Sequence, residues 1–205
     1  MPAGMELDFS SLTPLDRYRF LTSVVVPRPI AWVTTLDGDG VINAAPFSFF
    51  NIFGPKPPLL VLGIGNRPDT GEAKDTVLNI RQRGEFVVNL VSEALAERMV
   101  QTSAPLPRGE SELELVGLAP SPSRSVTPPR IADSPVSLEC RCHSIQEIGE
   151  NRLIIGEIAH AHIADEFYDA PTRRVLTESM KLVGRMHGAD GYAKTDSLFR
   201  IARPE

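Results

Sequence analysis

The sequence has little cysteine, no excess of basic charge and no long apolar run, and each shortage excludes a class of protein. Its 205 residues include only two cysteines, Cys140 and Cys142, too few for a disulfide scaffold, which favours a reducing, cytoplasmic setting. The net charge of -5 is not that of a nucleic-acid-binding protein. No apolar run approaches the roughly 20 residues that span a bilayer, and no secretory leader is visible. We therefore expect neither nucleic acid nor a membrane as a partner.

The motifs of hydrolases and of zinc proteins are missing as well. There is no G-x-S-x-G element, and no histidine or acid is placed beside Ser48 to activate it. His160 and His162 share one face of a strand, but a metal site needs a third and usually a fourth ligand, and only His143 is near. We therefore expect no metal site and no side-chain nucleophile.

The most distinctive segment is a hairpin with a polar end, at residues 27–53. Residues 30–36 are rich in β-branched and aromatic side chains, which suit a strand, and residues 37–40 provide two Asp-Gly pairs for a tight turn. The return strand, 41–45, is interrupted by Pro46, which has no N–H for a ladder. The backbone groups that this break frees fit either the edge of a flat polar ligand or a simple kink in a core hairpin.

Lys74, Asp75 and Thr76 form the best candidate anion site. Asp75 is predicted to cap a helix that ends at Gly84, where glycine allows the left-handed conformation of a helix end. The N-terminus of a helix offers free N–H groups, Lys74 adds a cation and Thr76 adds a hydroxyl donor, so a phosphate would meet three kinds of donor. An ordinary capped helix with a solvated lysine is the alternative, because no glycine-rich cradle accompanies the segment.

Elsewhere, many short strands and few helices predict an antiparallel barrel. The expected extended segments are 21–26, 59–64 (buried on both faces), 85–90, a hairpin of 136–148 and 152–163, and 197–203. Short helices are expected at 13–20, at 93–100 with Ser92 as the cap, and near 170–177. Residues 103–135 are rich in proline and are interpreted as a surface loop or lid, because too little chain remains for two separate cores.

In chain order, several segments resemble one family. PRPIAWVTT, NAAPFSFFN, the paired prolines before an apolar strand, KDTVLNI, EFVVNL and GRMHGADGY are similar to the flavin reductase-like proteins with an FMN-binding split barrel, the group that includes flavoredoxin. The likeness extends from about residue 12 to residue 203. Its specificity comes from the ordered set and not from any one motif.

The resemblance implies a mainly β fold with short helices: a six-stranded antiparallel split β-barrel of Greek-key type that binds FMN. It implies a single domain over residues 1–205, with an N-terminal arm (about 1–20) and a Pro-rich excursion (about 103–135) that we expect to cover the site or the dimer seam. The protein would be a homodimer, with FMN in a groove near the interface.

The resemblance also assigns residues to the cofactor. The flavin ring would lie against the backbone near Ala45, Pro46 and Phe47, and the phosphate would meet Lys74 and Thr76. The complete set of expected cofactor-binding residues is Thr34, Ala45, Pro46, Phe47, Ser48, Asn51, Lys74, Thr76 and Arg185. Arg185 would approach the flavin or a nicotinamide, and Trp32 fits a wall of the site or the core equally well.

The activity implied is that of an NAD(P)H-dependent flavin reductase, in which a reduced nicotinamide passes a hydride to flavin N5 and no catalytic side chain is needed. Reduced flavin would then serve a monooxygenase or another electron acceptor. Two alternatives stay open. One is a flavoredoxin-like FMN electron carrier without nicotinamide turnover, and the other is a flavin-free oligomeric binding module on the same barrel.

Overall fold

The computed structural model describes residues 4–204. In chain order, its strands are β1 (Ala31–Leu36), β2 (Ile42–Phe47), β3 (Phe50–Pro55), β4 (Pro58–Gly65), β5 (Glu85–Asn89), β6 (Pro120–Ser121), β7 (Arg130–Ile131), β8 (Val136–Ile148), β9 (Asn151–Ile163), β10 (Tyr168–Asp169), β11 (Arg174–Val175), β12 (Val183–Arg185) and β13 (Tyr192–Lys194). The α-helices are α1 (Pro14–Val24), α2 (Asp75–Arg83), α3 (Ala96–Gln101) and α4 (Glu112–Leu115). Short 3₁₀ turns occupy Glu93–Leu95, Asp165–Phe167 and Thr177–Met180.

The main sheet is antiparallel and has the strand order β2-β1-β5-β8-β9-β4-β3. β2 and β3 are its opposite edges, yet β2 ends at Phe47 and β3 begins at Phe50. Three peptide units span at most roughly 11 Å, so the sheet must curl until the ends of its two edge strands are close together. Because these edges are not paired with each other, the curled sheet stays open along one side. The sheet has seven strands and not the expected six.

Two apolar clusters pack against this sheet. The first fills the inside of the curl, where Val77 and Ile80 of α2 lie against strand residues such as Phe86. The second lies around Trp32 on the other face of β1 and includes residues of α3 and of the Pro-rich segment, defined here as residues 103–135. The buried residues that this segment contributes are Leu113, Leu118 and Ile131. The segment is therefore anchored in a core.

The β1–β2 and β8–β9 hairpins and the end of α2 are confirmed. The predicted interruption at Pro46 is wrong, because β2 runs through Pro46, which pairs in register with Trp32. Gly84 closes α2 with φ 70°, the left-handed conformation that was expected there. None of the helices among residues 4–204 is long and apolar enough to cross a membrane.

Several predicted elements are wrong. Helix α1 continues to Val24, so residues 21–26 are not extended. Residues 59–64 are buried on alternate positions and not on both faces. Instead of a helix at 170–177, β10 pairs with β11 around a turn in which Arg173 has φ 54°. Residues 197–203 form no strand, and the last pairing is that of β12 with β13.

The predicted helix at 93–100 is a 3₁₀ turn, Glu93–Leu95, followed by α3. Ser92 stands at its N-cap position, but its side chain makes no capping hydrogen bond.

Candidate functional site

A cleft of about 340 Å³ opens beside the edge strand β2, where the N-terminus of α2 faces the Pro-rich segment. Three stretches of chain form its walls. They contribute Asn43, Ala45 and Pro46 from β2; Arg67, Pro68, Asp69, Lys74, Asp75 and Thr76 from α2 and the loop before it; and Thr102, Ser103, Ala104, Pro105, Leu106 and Glu112 from the opposite side. Its size falls within the range of small-molecule sites.

The outer edge of β2 offers a hydrogen-bond acceptor. The Ala44 N–H points away from β1, since it donates to Glu112 Oε2 at 2.8 Å. Residues two apart on a strand direct their backbone groups to the same side, so Pro46 also faces outward, and proline has no N–H. The only N–H of this pair is already used by Glu112. Ala44 is fully buried, so the carbonyl oxygen of Pro46 is left as the acceptor that this pair offers to the cleft.

The α2 end of the cleft offers donors. Helix α2 begins at Asp75, and Lys74 is its N-cap residue. The Val77 and Leu78 N–H groups are satisfied by the Lys74 carbonyl, whereas the first N–H groups of a helix, here those of Asp75 and Thr76, have no acceptor within it. The predicted cap is wrong in detail, because the Asp75 carboxylate forms an ion pair with Arg67.

Positive charge is concentrated at this end. Lys74 is half-buried, and its amine lies 5.5 Å from the centroid of the Phe47 ring. Burial lowers the pKa of Lys74, and the charge of Arg67 lowers it further. Among residues 4–204, no carboxylate lies within ion-pair distance of Lys74. An anion bound here would relieve the repulsion between two neighbouring cations.

A buried carboxylate links the two walls. Glu112 Oε1 accepts a hydrogen bond from Asn43 Nδ2 at 2.8 Å, and Asn43 Oδ1 accepts one from Thr76 Oγ1 at 2.9 Å. Burial raises the pKa of Glu112; its hydrogen bonds from Ala44 and Asn43 oppose that rise, and the charge of Asp75 adds to it.

Four of the nine predicted cofactor-binding residues line the cleft: Ala45, Pro46, Lys74 and Thr76. Phe47 lies beside it, buried under the Lys74 amine.

The other four predicted residues are placed elsewhere and are engaged in other contacts. Thr34 is fully buried and donates to the Pro129 carbonyl at 2.6 Å. The Ser48 hydroxyl is 3.3 Å from Arg28 Nε, from which it accepts. Asn51 is exposed on β3, where its side chain accepts from the next backbone N–H.

The side chains of Arg185 and Trp32 also donate their hydrogen bonds to other groups of the chain. The Arg185 guanidinium donates to the carbonyl groups of Gly188, Ala189 and Gly191. Trp32 is fully buried and its Nε1 donates to Thr102 Oγ1 at 2.9 Å, which places it in the core.

The cleft residues that were not foreseen include Asn43, Arg67 and Glu112. A signal existed for Arg67, a cation in a Gly- and Pro-containing loop just before the predicted anion-binding helix. Asn43 has a weaker signal, as a polar residue on a strand that leads to Pro46. Glu112 has none, because it comes from the segment interpreted as a surface loop.

Comparisons with known proteins place the chain in a family. The model of the flavin reductase like domain matches residues 23–177, and a protein of Halalkalibacterium halodurans is 39% identical over 206 residues, covering 98% of this chain and 97% of its own length. The chain belongs to the flavin reductase like domain family.

Two solved structures are similar over almost the whole chain. Nitrilotriacetate monooxygenase component B from Bacillus cereus is 32% identical, with a TM-score of 0.90 and coverage of 98% of this chain and 100% of that one. The 2-nitrobenzoate 2-nitroreductase NbaA of Pseudomonas fluorescens is 36% identical, with a TM-score of 0.89 and coverage of 98% and 96%.

Proposed function

We propose that the cleft binds FMN and that the protein is an NAD(P)H-dependent flavin reductase. The observation that supports this most directly is the donor set at the start of α2. There Lys74, Asp75 and Thr76 line one cleft, and they carry an amine and the first free N–H groups of the helix, a donor set that suits a phosphate. Membership of the flavin reductase like domain family supports the same assignment.

The residues present fit such a cofactor at both ends of the cleft. Lys74 and the N–H groups of Asp75 and Thr76 would hold the phosphate, and Arg67 is near enough to Lys74 to affect its pKa. The carbonyl group of Pro46, which lines the cleft, would accept from a donor on the ring edge. Bound FMN would supply the hydride chemistry. The wall at residues 102–106 would shield the cofactor from water.

Two relatives suggest which molecule accepts electrons from the reduced flavin. A similar protein is component B of a nitrilotriacetate monooxygenase, which supports a separate monooxygenase as the acceptor of reduced flavin. Another is a 2-nitrobenzoate 2-nitroreductase at 36% identity, which favours nitroarene reduction at the same cofactor as a second candidate function.

The visible spectrum of the purified protein with FMN, before and after anaerobic addition of NADH or NADPH, tests the proposal. We expect a flavin band that bleaches with either nicotinamide, and steady turnover with free flavin. A band that persists with both reductants would contradict the reductase and favour the flavoredoxin-like carrier. The absence of any band after incubation with FMN would contradict the whole assignment and leave a flavin-free module.

We also propose that the protein is a homodimer that buries β3. This edge strand exposes Ile52 and Phe53, at 73% and 67%, and unprotected apolar edges of this kind invite pairing with another chain. Helix α1 adds further exposed apolar residues, including Leu21 and Val24.

Replacing Ile52 by Lys should shift the protein from dimer to monomer, because a charge would have to be buried at the interface. Light scattering coupled to size-exclusion chromatography at matched concentrations measures this. The control is Leu115→Lys, at an exposed apolar residue of α4, which should leave the mass unchanged. A monomeric wild-type protein would contradict the proposal.

A further inference from the structure

A chain of hydrogen bonds crosses the cleft from the Pro-rich wall to the anion-binding end. Glu112 is only 7% exposed. Its two oxygens accept from Ala44 N and Asn43 Nδ2, both at 2.8 Å. Asn43 Oδ1 accepts from Thr76 Oγ1 at 2.9 Å. The chain therefore ends in the first turn of α2, beside Lys74.

The direction of every bond in this chain follows from the charge of Glu112. An ionised carboxylate only accepts hydrogen bonds, so Asn43 must turn its NH₂ group toward Glu112 and its carbonyl oxygen toward Thr76. The Thr76 hydroxyl can donate one hydrogen bond, and it donates that bond to Asn43 Oδ1. While Glu112 is charged, Thr76 therefore has no hydroxyl proton to donate to a ligand in the cleft.

A neutral group at position 112 would reverse the donor and acceptor roles along this series of hydrogen bonds. Protonated Glu112 can donate to Asn43, whose amide would then rotate and present its oxygen to Glu112. The amide hydrogens of Asn43 would face the hydroxyl oxygens of Thr35 and Thr76, which now lie 3.3 Å and 2.9 Å from Asn43 Oδ1. The Thr76 hydroxyl would then be free to rotate and donate its hydrogen bond to a ligand in the cleft.

We propose that Glu112 is a positioning residue for the anion site, whose charge decides through Asn43 whether the Thr76 hydroxyl donates to the phosphate of a bound flavin. The inference rests on the proposed function, since it needs a phosphate in the cleft. It assigns to the Pro-rich segment a part in selecting flavin phosphates over riboflavin.

Other charges around Glu112 set when it is neutral. The charged groups that line the same cleft or the small hollow next to it are Asp37, Arg67, Asp69, Lys74, Asp75, Arg108 and Glu110. Burial raises the pKa of Glu112 above its usual range, with Asp75 contributing in the same direction. The neutral form is therefore reached at a higher pH than for an exposed glutamate.

The test compares the wild type with Glu112→Gln, which is neutral at every pH and can donate to Asn43. Flavin fluorescence quenching gives the dissociation constants of FMN and riboflavin between about pH 5 and pH 8. At pH 8 the variant should bind FMN about tenfold more tightly than the wild type, by one added hydrogen bond to a charged group. This ratio should approach one as the pH falls, and riboflavin should show little change. Titration of the phosphate itself cancels in the ratio.

Loss of the Glu112 charge would strengthen anion binding even if the hydrogen bonds from Glu112 through Asn43 to Thr76, here called the relay, had no effect. A double-mutant cycle with Thr76→Val separates the two effects. The relay requires that most of the gain from Glu112→Gln disappears in the Thr76→Val background. An equal gain in both backgrounds, or no gain at any pH, would overturn the inference while leaving FMN binding established. If no member of the cycle binds FMN, the proposed function is overturned as well.

The comparison of wild type with Thr76→Val needs no change at Glu112, and so stands even if Glu112→Gln does not fold. The Thr76 hydroxyl should strengthen FMN binding at low pH and contribute little at high pH. A contribution that does not depend on pH would contradict the relay.

Discussion

Replacing Lys74 by Met should weaken FMN binding by about ten- to a hundredfold, the value of one charge-assisted hydrogen bond to a phosphate. Methionine keeps an unbranched apolar stem beside Phe47 and removes only the charge. Riboflavin, which has no phosphate, should bind both proteins equally. Titration of flavin fluorescence at constant ionic strength measures both affinities.

The same substitution should not lower the free energy of unfolding. The pKa of Lys74 is lowered by burial and by Arg67, so the charged amine is less favourable in the folded protein than in the unfolded chain. Its cost to stability is fully present below the lowered, folded-state pKa and is lost as the pH rises from there to the ordinary pKa of 10.5. Lys74→Met therefore separates affinity from stability, as expected of a binding residue that is retained at some cost to the fold.

Lys56 provides the control, because it is an exposed lysine in the turn between β3 and β4. Lys56→Met should change neither FMN affinity nor riboflavin affinity. An unchanged FMN affinity in Lys74→Met would remove the phosphate from the start of α2 and with it the main support for the proposed cofactor site.

The parts of the fold that local chemistry determines could be predicted from the sequence. Paired Asp-Gly turns and β-branched runs predict the β1–β2 hairpin, and Gly84 marks the end of α2 because only glycine adopts its conformation without strain. The same reasoning identified Lys74 at the start of α2, but it was wrong about Pro46. Strand β2 continues through Pro46 to Phe47 in regular register, because an outward-facing N–H on an edge strand can be absent without loss of a ladder hydrogen bond. Local rules failed at 170–177, where the chain makes a tight turn at Arg173 with a non-glycine residue in the left-handed region.

What the sequence could not show is which distant groups meet. Asp75 was expected to cap its own helix, but Arg67 takes its carboxylate. Thr76 was expected to donate to a ligand, but its hydroxyl donates a hydrogen bond to Asn43 Oδ1 in the structure. Both competitors lie far enough along the chain that no spacing rule connects them. The sides of the cleft formed by β2 and α2 could therefore be predicted in part, whereas the side formed by residues 102–106 and Glu112 was missed.

Glu139 shows the same limit on the far side of the sheet. Cys140 faces the core on β8, so alternation predicts that Glu139 points out to solvent. The side chain is instead fully buried, because the Pro-rich segment lies over it. Its carboxylate accepts from the backbone N–H of Arg124, at 2.7 Å, and of Ser125, and it contacts His162 Nε2.

Replacing Glu139 by Ala should therefore lower the free energy of unfolding by about 3–5 kcal/mol, the usual cost of removing one partner from a buried charged cluster. Two backbone N–H groups would lose their acceptor, and a cavity would remain. Urea denaturation followed by circular dichroism at pH 7 measures the loss. Because typical domains have only about 5–15 kcal/mol of stability, this is the largest effect on the fold that we expect from a single side chain.

The pH dependence has a definite sign. Burial alone would raise the pKa of Glu139, but the hydrogen bonds from Arg124, His162 and Ser125 outweigh it, and the pKa lies below the ordinary value of 4.5. The stabilisation is therefore present above about pH 4.5 and is lost as the pH falls through the lower, folded-state pKa. The difference between wild type and Glu139→Ala should therefore shrink as the pH falls below about 4.5.

Glu85 is the matched control, since it also accepts a backbone N–H from the Pro-rich segment, that of Thr127 at 2.8 Å, but it is only half-buried. Glu85→Ala should cost about 1 kcal/mol, because water can replace the lost acceptor. Equal losses at the two positions would mean that burial of the Glu139 carboxylate adds nothing. Glu139 would then anchor the Pro-rich segment no more strongly than Glu85, which also accepts one of its backbone N–H groups.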